Sequence, residues 1–265
     1  MKLGIVMDPI ESINFKKDST LAMMLEAQSR EYQLFYITPD SLYINERGAF
    51  AIAKLINVKN DLTGWFDFKE EIQIRLSELD VIFMRQDPPF NSNFIYNTYV
   101  LESAEKEGVL VVNKPESLRD CNEKVFATEF PECCTPFLVT SNPDLLKSFI
   151  EDHRDTVIKP LDGMGGSSIF RLRNSDPNLN VILETITESF TTKVMIQTFI
   201  PEIVDGDKRI LLINGKPMNA AVARVPAEGE LRGNLAAGAS AVARSLTEKD
   251  LWICEQVGPR LKDLG

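Results

Sequence analysis

The spacing of apolar and polar positions in the first part of the chain predicts an open α/β domain. Short apolar runs with the length of buried strands lie at residues 2–7, 33–37, 81–84 and 109–113. Helical spacing and polar N-caps predict helices at residues 21–30 and 91–107. Residues 40–78 have a less regular pattern. Because strands and helices alternate, we expect helices packed on a mostly parallel sheet.

A second block, residues 120–200, has strands in closer succession. Helices are expected at residues 120–130, 143–153 and 179–188, and strands at residues 137–140, 156–160, 168–172 and 194–200. A glycine-rich stretch joins two of these strands. This order favours an α+β arrangement over a second doubly wound sheet.

The third block begins with a strong hairpin signal. Asn214-Gly215 separates the predicted strands 209–213 and 218–224. Residues 225–244 are rich in glycine, proline and alanine without a usable period, which predicts a long functional loop. A helix is expected at residues 247–262, with Thr247 as its cap.

Composition narrows the possible functions. The chain has 265 residues, 44% of them apolar, and a net charge of −10, which disfavours binding to a phosphate backbone. No signal peptide or spanning segment is evident. The four cysteines form no C-x-x-C pair and are expected to be reduced cytosolic thiols. A single histidine, His153, leaves any chemistry to carboxylates, cations, backbone amides and a hard metal.

The glycine-rich stretch 162–166 is the sharpest local feature. Glycines let backbone N–H groups approach an anion closely, so phosphates would lie under a hairpin flap. Lys159, on the preceding strand, and Lys124, on the preceding predicted helix, would supply cations to a polyphosphate. On this motif alone, a plain β-turn with two solvated lysines is an equally good interpretation.

Three other segments carry candidate polar groups. Asp207 and Arg209 fall on one face of a strand and could bind ribose and a transferring phosphoryl group. Arg232 lies in the long loop, where an arginine suits an anion contact and the loop suits a lid. Arg85 and Asp87 directly follow a buried strand and could bind a small zwitterion. The alternatives are a polar hairpin entry, a disordered surface loop and a rigid strand-to-helix connection.

Together these segments resemble the bacterial glutathione synthetases, a family of ATP-grasp ligases. The matching strings are G-I-V-M-D-P-I, M-R-x-D-P-P-F, V-N-K-P-x-S-L-R-D-C-N-E-K, K-P-L-D-G-M-G-G, D-G-D-K-R and R-G-N-L-A-A-G, in family order along the chain. The resemblance implies an α/β and α+β fold with three parts. They are a Rossmann-like pre-ATP-grasp substrate domain at residues 1–120, a small ATP-grasp subdomain at residues 121–200 and a large subdomain at residues 201–265.

The resemblance also implies roles for individual residues. ATP would be bound by Lys124, Lys159, Gly163, Met164, Gly165, Gly166, Thr198, Phe199, Ile200 and Asp207, with residues 198–200 as the adenine hinge. The catalytic arginines would be Arg209, Arg224 and Arg232, the last in a lid spanning residues 225–244. Substrate would contact Arg85, Asp87 and Asn234. The implied reaction joins glycine to γ-glutamylcysteine through an acyl phosphate, giving glutathione, ADP and phosphate.

The sequence departs from the family pattern in two places. Ala239-Ser240-Ala241 stands where the family usually has G-R-G, with Arg244 as the nearest substitute for the missing arginine. The family's last segment, with an acidic strand and Glu-x-Asn pair that bind Mg²⁺ or Mn²⁺, would lie beyond Gly265. We therefore expect no metal ligands within this sequence, an incomplete large subdomain and poor turnover by the chain as written.

Two other functions remain open at this point. One is a different ATP-grasp ligase, of the D-alanine:D-alanine or glutamate-adding type, against which M-R-x-D-P-P-F argues. The other is a nucleotide- or peptide-binding remnant without turnover, which the missing metal ligands favour. In each case we expect a cytoplasmic homo-oligomer that acts on small molecules and has no nucleic-acid or membrane partner.

Overall fold

A computed structural model describes residues 1–163, 165–230, 232–234 and 238–265. The chain forms two compact units, one of residues 1–120 together with Gly265 and one of residues 121–264. Among the described residues, none of the helices combines the length and apolar character needed to span a bilayer.

The first unit is built on one six-stranded sheet with the order β4-β3-β2-β1-β5-β6. Its strands are β1 (Lys2–Val6), β2 (Gln33–Asn45), β3 (Gly48–Val58), β4 (Phe66–Arg75), β5 (Val81–Met84) and β6 (Leu110–Val112). Its helices are α1 (Ser19–Ser29), α2 (Ser92–Lys106) and α3 (Pro115–Asp120). The predicted cap of α1 is confirmed, because Asp18 accepts the Leu21 N–H at 2.7 Å. Helix α2 is capped by Asn91, which accepts the Phe94 N–H at 3.1 Å.

The prediction of a mostly parallel sheet is confirmed, but the prediction of a less regular segment at residues 40–78 is wrong. Strands β2, β1, β5 and β6 are parallel, but β3 and β4 pair antiparallel beside β2 and occupy most of that segment. The strand signal is weak there, because β3 buries alanines at 49, 51 and 53 and β4 is rich in charge. Alanine and charged residues are depleted in strands, so pairing with β2 decides their conformation.

The two large helices of this unit cover opposite faces of the sheet. Leu21 and Met24 of α1 pack in one core cluster with Leu3 and Ile5, whereas Leu101 of α2 packs in the other. The chain therefore winds outward in both directions from β1 and β5. Such a switch point opens a crevice at the carboxyl ends of the two strands, where open α/β sheets bind ligands.

The second unit contains two smaller sheets. One has the order β7-β10-β8-β9, and the other has the order β11-β12-β13. The strands are β7 (Phe137–Thr140), β8 (Thr156–Pro160), β9 (Phe170–Leu172), β10 (Val194–Thr198), β11 (Asp207–Ile213), β12 (Lys216–Val225) and β13 (Ser240–Ser245). The helices are α4 (Pro143–His153), α5 (Leu179–Ile186) and α6 (Glu248–Leu264).

Two predictions in this unit need correction. The expected helix at 120–130 is a turn followed by a 3-10 helix at Phe126–Glu129, so Lys124 lies in a turn. There, Asn122 accepts the N–H groups of Lys124 and Val125 with its side chain, which competes with an α-helix. The expected loop 225–244 ends early, because residues 240–245 form β13 along β12.

The hairpin between β11 and β12 packs closely on α6. Asn214 and Gly215 both have positive φ, at 49° and 74°, as a two-residue hairpin turn requires. Gly215 and Gly258 of α6 meet backbone to backbone, and a Cβ added to Gly215 would lie 2.7 Å from the Gly258 carbonyl oxygen. Only two glycines allow this approach.

We expect the substitution Gly258→Ala to destabilise the second unit. In an open helix position, this change would stabilise the protein by about 1 kcal/mol. Here the new Cβ would overlap the Gly215 carbonyl oxygen, and overpacking costs roughly 1–3 kcal/mol. Urea unfolding followed by Trp252 fluorescence, in a Trp65→Phe background, would measure the midpoint.

The matched control is Gln256→Ala, because Gln256 is an exposed position of the same helix. That variant should unfold within about 0.5 kcal/mol of the parent. A Gly258→Ala protein as stable as the parent would show that the hairpin and α6 do not require this contact.

Candidate functional site

Polar groups gather in the first unit at the carboxyl ends of β1 and β5. Arg85 directly follows β5, and its guanidinium donates to Thr20 Oγ1 and Ser19 Oγ, each at 3.0 Å. The Asp87 N–H donates to the Asp8 carboxylate at 2.7 Å. The segment singled out in the sequence thus lies in the crevice at the switch point.

Asp8 is a residue of this crevice that the sequence reasoning missed. Its signal is its position two residues after the end of β1, close to the position of Arg85 one residue after β5. Burial, and next the nearby carboxylate of Asp8, raise the pKa of Asp87, while the cation of Arg85 opposes the shift. Two carboxylates beside one arginine can bind a group that carries both an ammonium and a carboxylate.

The second unit contains a cavity of about 710 Å³, within the range of small-molecule sites. Its described lining comes from the segment before β7, from β8 and β9, from the end of β10 and from the segment after β12. The lining residues are Cys133, Cys134, Thr135, Val157, Gly166, Ser168, Ile169, Phe170, Arg171, Gln197, Thr198, Phe199, Ile200, Ile203, Gly229, Glu230 and Arg232. All three predicted hinge residues are among them.

The glycine flap connects β8 to β9, which pair antiparallel as the sequence predicted. Gly165 and Gly166 have positive φ, at 68° and 82°, which glycine adopts at no steric cost. A Cβ on Gly163 would lie 2.5 Å from the Pro160 ring. Met164, also predicted to contact ATP, lies outside the described residues.

The two predicted phosphate lysines come together at the base of the flap. Lys124 Nζ donates to the carbonyl oxygens of Gly163 at 2.8 Å and Leu161 at 3.3 Å, and it pairs with Glu123 at 2.7 Å. Lys159 is two residues after Val157 on the same face of β8. Neither lysine is part of the cavity lining, but Lys124 contacts the flap at Gly163 and Lys159 shares a strand face with the lining residue Val157.

Lys159 is a partly desolvated cation. Burial, and next the positive charge of Lys124, lower the pKa of Lys159, while Glu123 opposes the shift. Within the described ranges, no carboxylate forms an ion pair with Lys159. A phosphate oxygen at this position would interact with an ammonium group that no protein carboxylate neutralises.

The hinge at the end of β10 is held by backbone bonds. The N–H groups of Thr198 and Phe199 donate to the carbonyl oxygens of Pro136 and Asp155, each at 3.0 Å. In the part of the chain that the structure describes, the Phe199 carbonyl and the Ile200 N–H have no partner. One free acceptor and one free donor at the cavity wall suit the edge of a purine base.

The three-stranded sheet places Asp207, Arg209 and Arg224 on one face, because Asp207 pairs across the ladder with Arg224 and Arg209 with Val222. The carboxylate of Asp207, predicted to bind ribose, holds the guanidinium of Arg224 through two hydrogen bonds, one of 2.9 Å from Nε to Oδ1. Hydrogen bonding to Asp207 is the main cause that raises the pKa of Arg224.

Arg209 and Arg244 differ in orientation. Arg209 has no ion-pair partner among the residues described. Arg244, considered a substitute for a missing lid arginine, pairs with Ala221 on β12. Because Ala221 and Arg224 alternate to opposite faces, Arg244 faces away from Arg209 and Arg224.

The segment after β12 meets the flap. Arg232 lines the cavity, and its guanidinium donates to Glu230 at 2.6 Å, an interaction that raises the pKa of Arg232. A Cβ on Gly166 would lie 2.5 Å from Asn234 Oδ1 and 3.1 Å from Arg232 Cδ. Arg232 and Asn234 therefore pack against the flap glycine, and Glu230 is a site residue that the sequence reasoning missed.

Among the described residues, no group of three or more His, Cys, Asp and Glu side chains could hold a metal ion. Asp207 is engaged by Arg224, and Asp250 by Lys208.

Comparison with known proteins places both units in one family. Residues 1–119 match the N-terminal domain of prokaryotic glutathione synthetase, and residues 123–265 match its ATP-grasp domain. The chain is 57% identical to the glutathione synthetase of Pseudomonas putida, 55% to that of Pseudomonas aeruginosa and 53% to that of Escherichia coli O157:H7. Each match covers the whole chain and 84% of the relative.

Solved structures share the fold at low sequence identity. D-cycloserine synthetase DcsG matches with a TM-score of 0.64 and 13% identity, covering 98% of this chain and 82% of the other. D-alanyl-alanine synthetase A from Vibrio cholerae matches with a TM-score of 0.55 and 14% identity, covering 98% and 79%. These matches confirm the predicted ATP-grasp fold, and the identities above show that the chain belongs to the prokaryotic glutathione synthetase family.

Proposed function

We propose that this chain joins glycine to γ-glutamylcysteine with consumption of ATP, giving glutathione, ADP and phosphate. The observation that carries the proposal is the identity of 52–57% with glutathione synthetases over all 265 residues. The cavity of the second unit and the crevice of the first supply the two kinds of binding group that this reaction needs.

The cavity suits ATP. The Phe199 carbonyl and the Ile200 N–H offer an acceptor and a donor to the adenine edge. Lys159 and Lys124 lie at the flap end, where the backbone of Gly163, Gly165 and Gly166 would approach the phosphates. Asp207 would contact ribose after giving up one of its two hydrogen bonds with Arg224.

The crevice suits the γ-glutamyl part of the peptide, which carries an ammonium and a carboxylate. Arg85 Nη1 has no partner among the residues the structure describes and would bind the carboxylate. Asp8 and Asp87 would bind the ammonium. Asn234, against the flap glycine, would contact substrate near the phosphoryl group.

The chemistry depends on cations that stabilise negative charge, and it does not require a histidine as general base. The cysteinyl carboxylate attacks the γ-phosphorus, and the bond from phosphorus to the ADP oxygen breaks. The glycine amine then attacks the acyl carbon, loses a proton and displaces phosphate. Negative charge develops on phosphoryl oxygens in the first step, and on the acyl oxygen and then the departing phosphate in the second. Arg209, Arg224 and Arg232 would stabilise it. The segment between β12 and β13 would act as the lid.

Mg²⁺ or Mn²⁺ belongs to the proposal as the usual counter-ion of ATP. The part of the chain that the structure describes contains no group of three or more side chains of the metal-binding types.

We further propose a cytoplasmic setting and a homo-oligomeric state. Cys133, Cys134 and Cys254 are free thiols, which supports a reducing compartment.

ADP release by the purified protein tests the function. We expect release only when ATP, Mg²⁺, γ-glutamylcysteine and glycine are all present. Release supported instead by D-alanine or by glutamate would overturn the proposal in favour of another ATP-grasp ligase. Nucleotide binding without ADP release for any substrate pair would indicate a binding protein.

We predict that Lys159→Ala weakens binding of the non-hydrolysable ATP analogue AMPPNP by about 10- to 100-fold. The reason is the loss of a charge-assisted contact of roughly 1.5–3 kcal/mol. Calorimetric titration measures the effect, and Lys193→Ala is the matched control, because Lys193 is exposed. An unchanged dissociation constant for Lys159→Ala would rule out its phosphate role.

We also predict that AMPPNP affinity falls as the pH rises. The fall should begin at a lower pH than the pKa of an ordinary lysine would give. Lys159 must be protonated to bind phosphate, and its pKa in the free protein is lowered by burial and by Lys124. Titrations from about pH 7 to about pH 10 would show the decline. In Lys159→Arg the guanidinium stays charged, so the decline should disappear; a decline of the same size in that variant would assign it to another group.

A further inference from the structure

Phe199 is fixed on both its backbone and its ring. Its N–H donates to the Asp155 carbonyl oxygen at 3.0 Å. Its ring lies under the guanidinium of Arg171, whose central carbon is 3.7 Å from the ring centroid. This is well within the range of a cation–π contact. Phe199 and Arg171 both line the cavity.

Asp155 holds both ends of this arrangement. It precedes β8, and its carbonyl oxygen receives the hinge N–H. Its carboxylate receives Arg171 Nε at 2.7 Å and Nη2 at 2.6 Å in a bidentate pair. Arginine and carboxylate planes match in this geometry, so the guanidinium cannot rotate away from the ring without breaking two charge-assisted bonds.

The pair persists over the pH range in which an enzyme works. Hydrogen bonding to Arg171 lowers the pKa of Asp155 to about 2, and the same bond raises the pKa of Arg171. Arg173 also binds the Asp155 carboxylate, with Nη2 at 2.9 Å. Its side chain is 59% exposed, against 31% for Arg171, and it is not part of the cavity lining.

We propose that Asp155 and Arg171 form a brace behind Phe199 that positions the hinge for the base of a purine nucleotide. Both are positioning residues. Asp155 fixes the backbone of the hinge and the guanidinium, and Arg171 fixes the ring. The inference rests on the proposed function only in taking the cavity as the ATP site.

The brace acts on the base and not on the phosphates, which gives it a specific signature. In Arg171→Ala, we expect AMPPNP and adenosine to bind about tenfold more weakly. This change in affinity corresponds to about 1.4 kcal/mol. Binding of inorganic tripolyphosphate should change less than about twofold. Lys159→Ala should show the reverse, with tripolyphosphate affected and adenosine not.

Three further variants test how Arg171 acts. Arg171→Lys keeps a cation over the ring and should recover part of the affinity. Asp155→Asn should weaken adenosine binding to a similar extent as Arg171→Ala. Arg173→Ala is the matched control, since it removes a cation from the same carboxylate outside the cavity, and it should change affinity less than about twofold.

A double-mutant cycle with Phe199→Leu decides whether the effect passes through the ring. Under the proposal, Arg171→Ala costs little more affinity once the ring is gone. Full additivity would overturn the brace and assign Arg171 a direct contact with the nucleotide. Equal losses for Arg171→Ala and Arg173→Ala would likewise overturn it, as would equal losses of adenosine and tripolyphosphate.

Steady-state kinetics separate this inference from the proposed function. For the brace, the KM for ATP rises in Arg171→Ala while kcat stays within about twofold of the parent. If the parent protein binds adenosine but releases no ADP with any substrate pair, the proposed reaction fails while the brace remains testable by binding. If ADP release is as proposed and adenosine affinity is unchanged in Arg171→Ala, the brace alone fails.

Discussion

The antiparallel pairing of β8 with β10 on one side and β9 on the other is the constraint on which the cavity of the second unit depends. It sets Lys159 opposite Met195 and Thr156 opposite Thr198, so the proposed phosphate and adenine contacts lie along one strand. It also closes the flap, because β9 must return beside β8. Asp155, one residue before β8, then lies beside Phe199, one residue after β10.

The cations around the cavity differ in how far they are already neutralised. Arg224 and Arg232 each hold a carboxylate, from Asp207 and Glu230, whereas Lys159 has no carboxylate partner among the described residues. A ligand phosphate would therefore meet no competing carboxylate at Lys159. At Arg224 and Arg232 it would compete with a protein carboxylate. Such paired arginines keep their orientation without ligand, which reduces the entropy lost when ligand binds.

Close backbone approach is the second recurring device in the second unit. Gly166 leaves room for Asn234 and Arg232, Gly233 leaves room for Asp207, and Gly258 leaves room for the hairpin turn at Gly215. At each place a Cβ would collide with a polar atom. The segment after β12, the flap and the three-stranded sheet thus meet through contacts that only glycine permits.

The sequence by itself determined the elements whose signals are local. The runs at β5, β7 and β8 were predicted with their observed bounds, the cap of α1 at Asp18 was predicted correctly, and Asn214-Gly215 specified its hairpin. These features depend on neighbours within a few residues, so propensity and capping suffice to predict them. The order of motifs was likewise enough to predict the family.

Tertiary structure alone decided the features that depend on distant partners. Alanine-rich β3 becomes a strand because β2 offers it hydrogen bonds, and charged β4 does so because β3 offers them. In the same way, β13 forms because β12 offers it hydrogen bonds. The pairing of Asp207 with Arg224, and of Asp155 with Arg171 behind Phe199, joins residues 16 or more positions apart. No local pattern encodes such contacts, because the free energy that selects them comes from strand pairing and burial elsewhere in the unit.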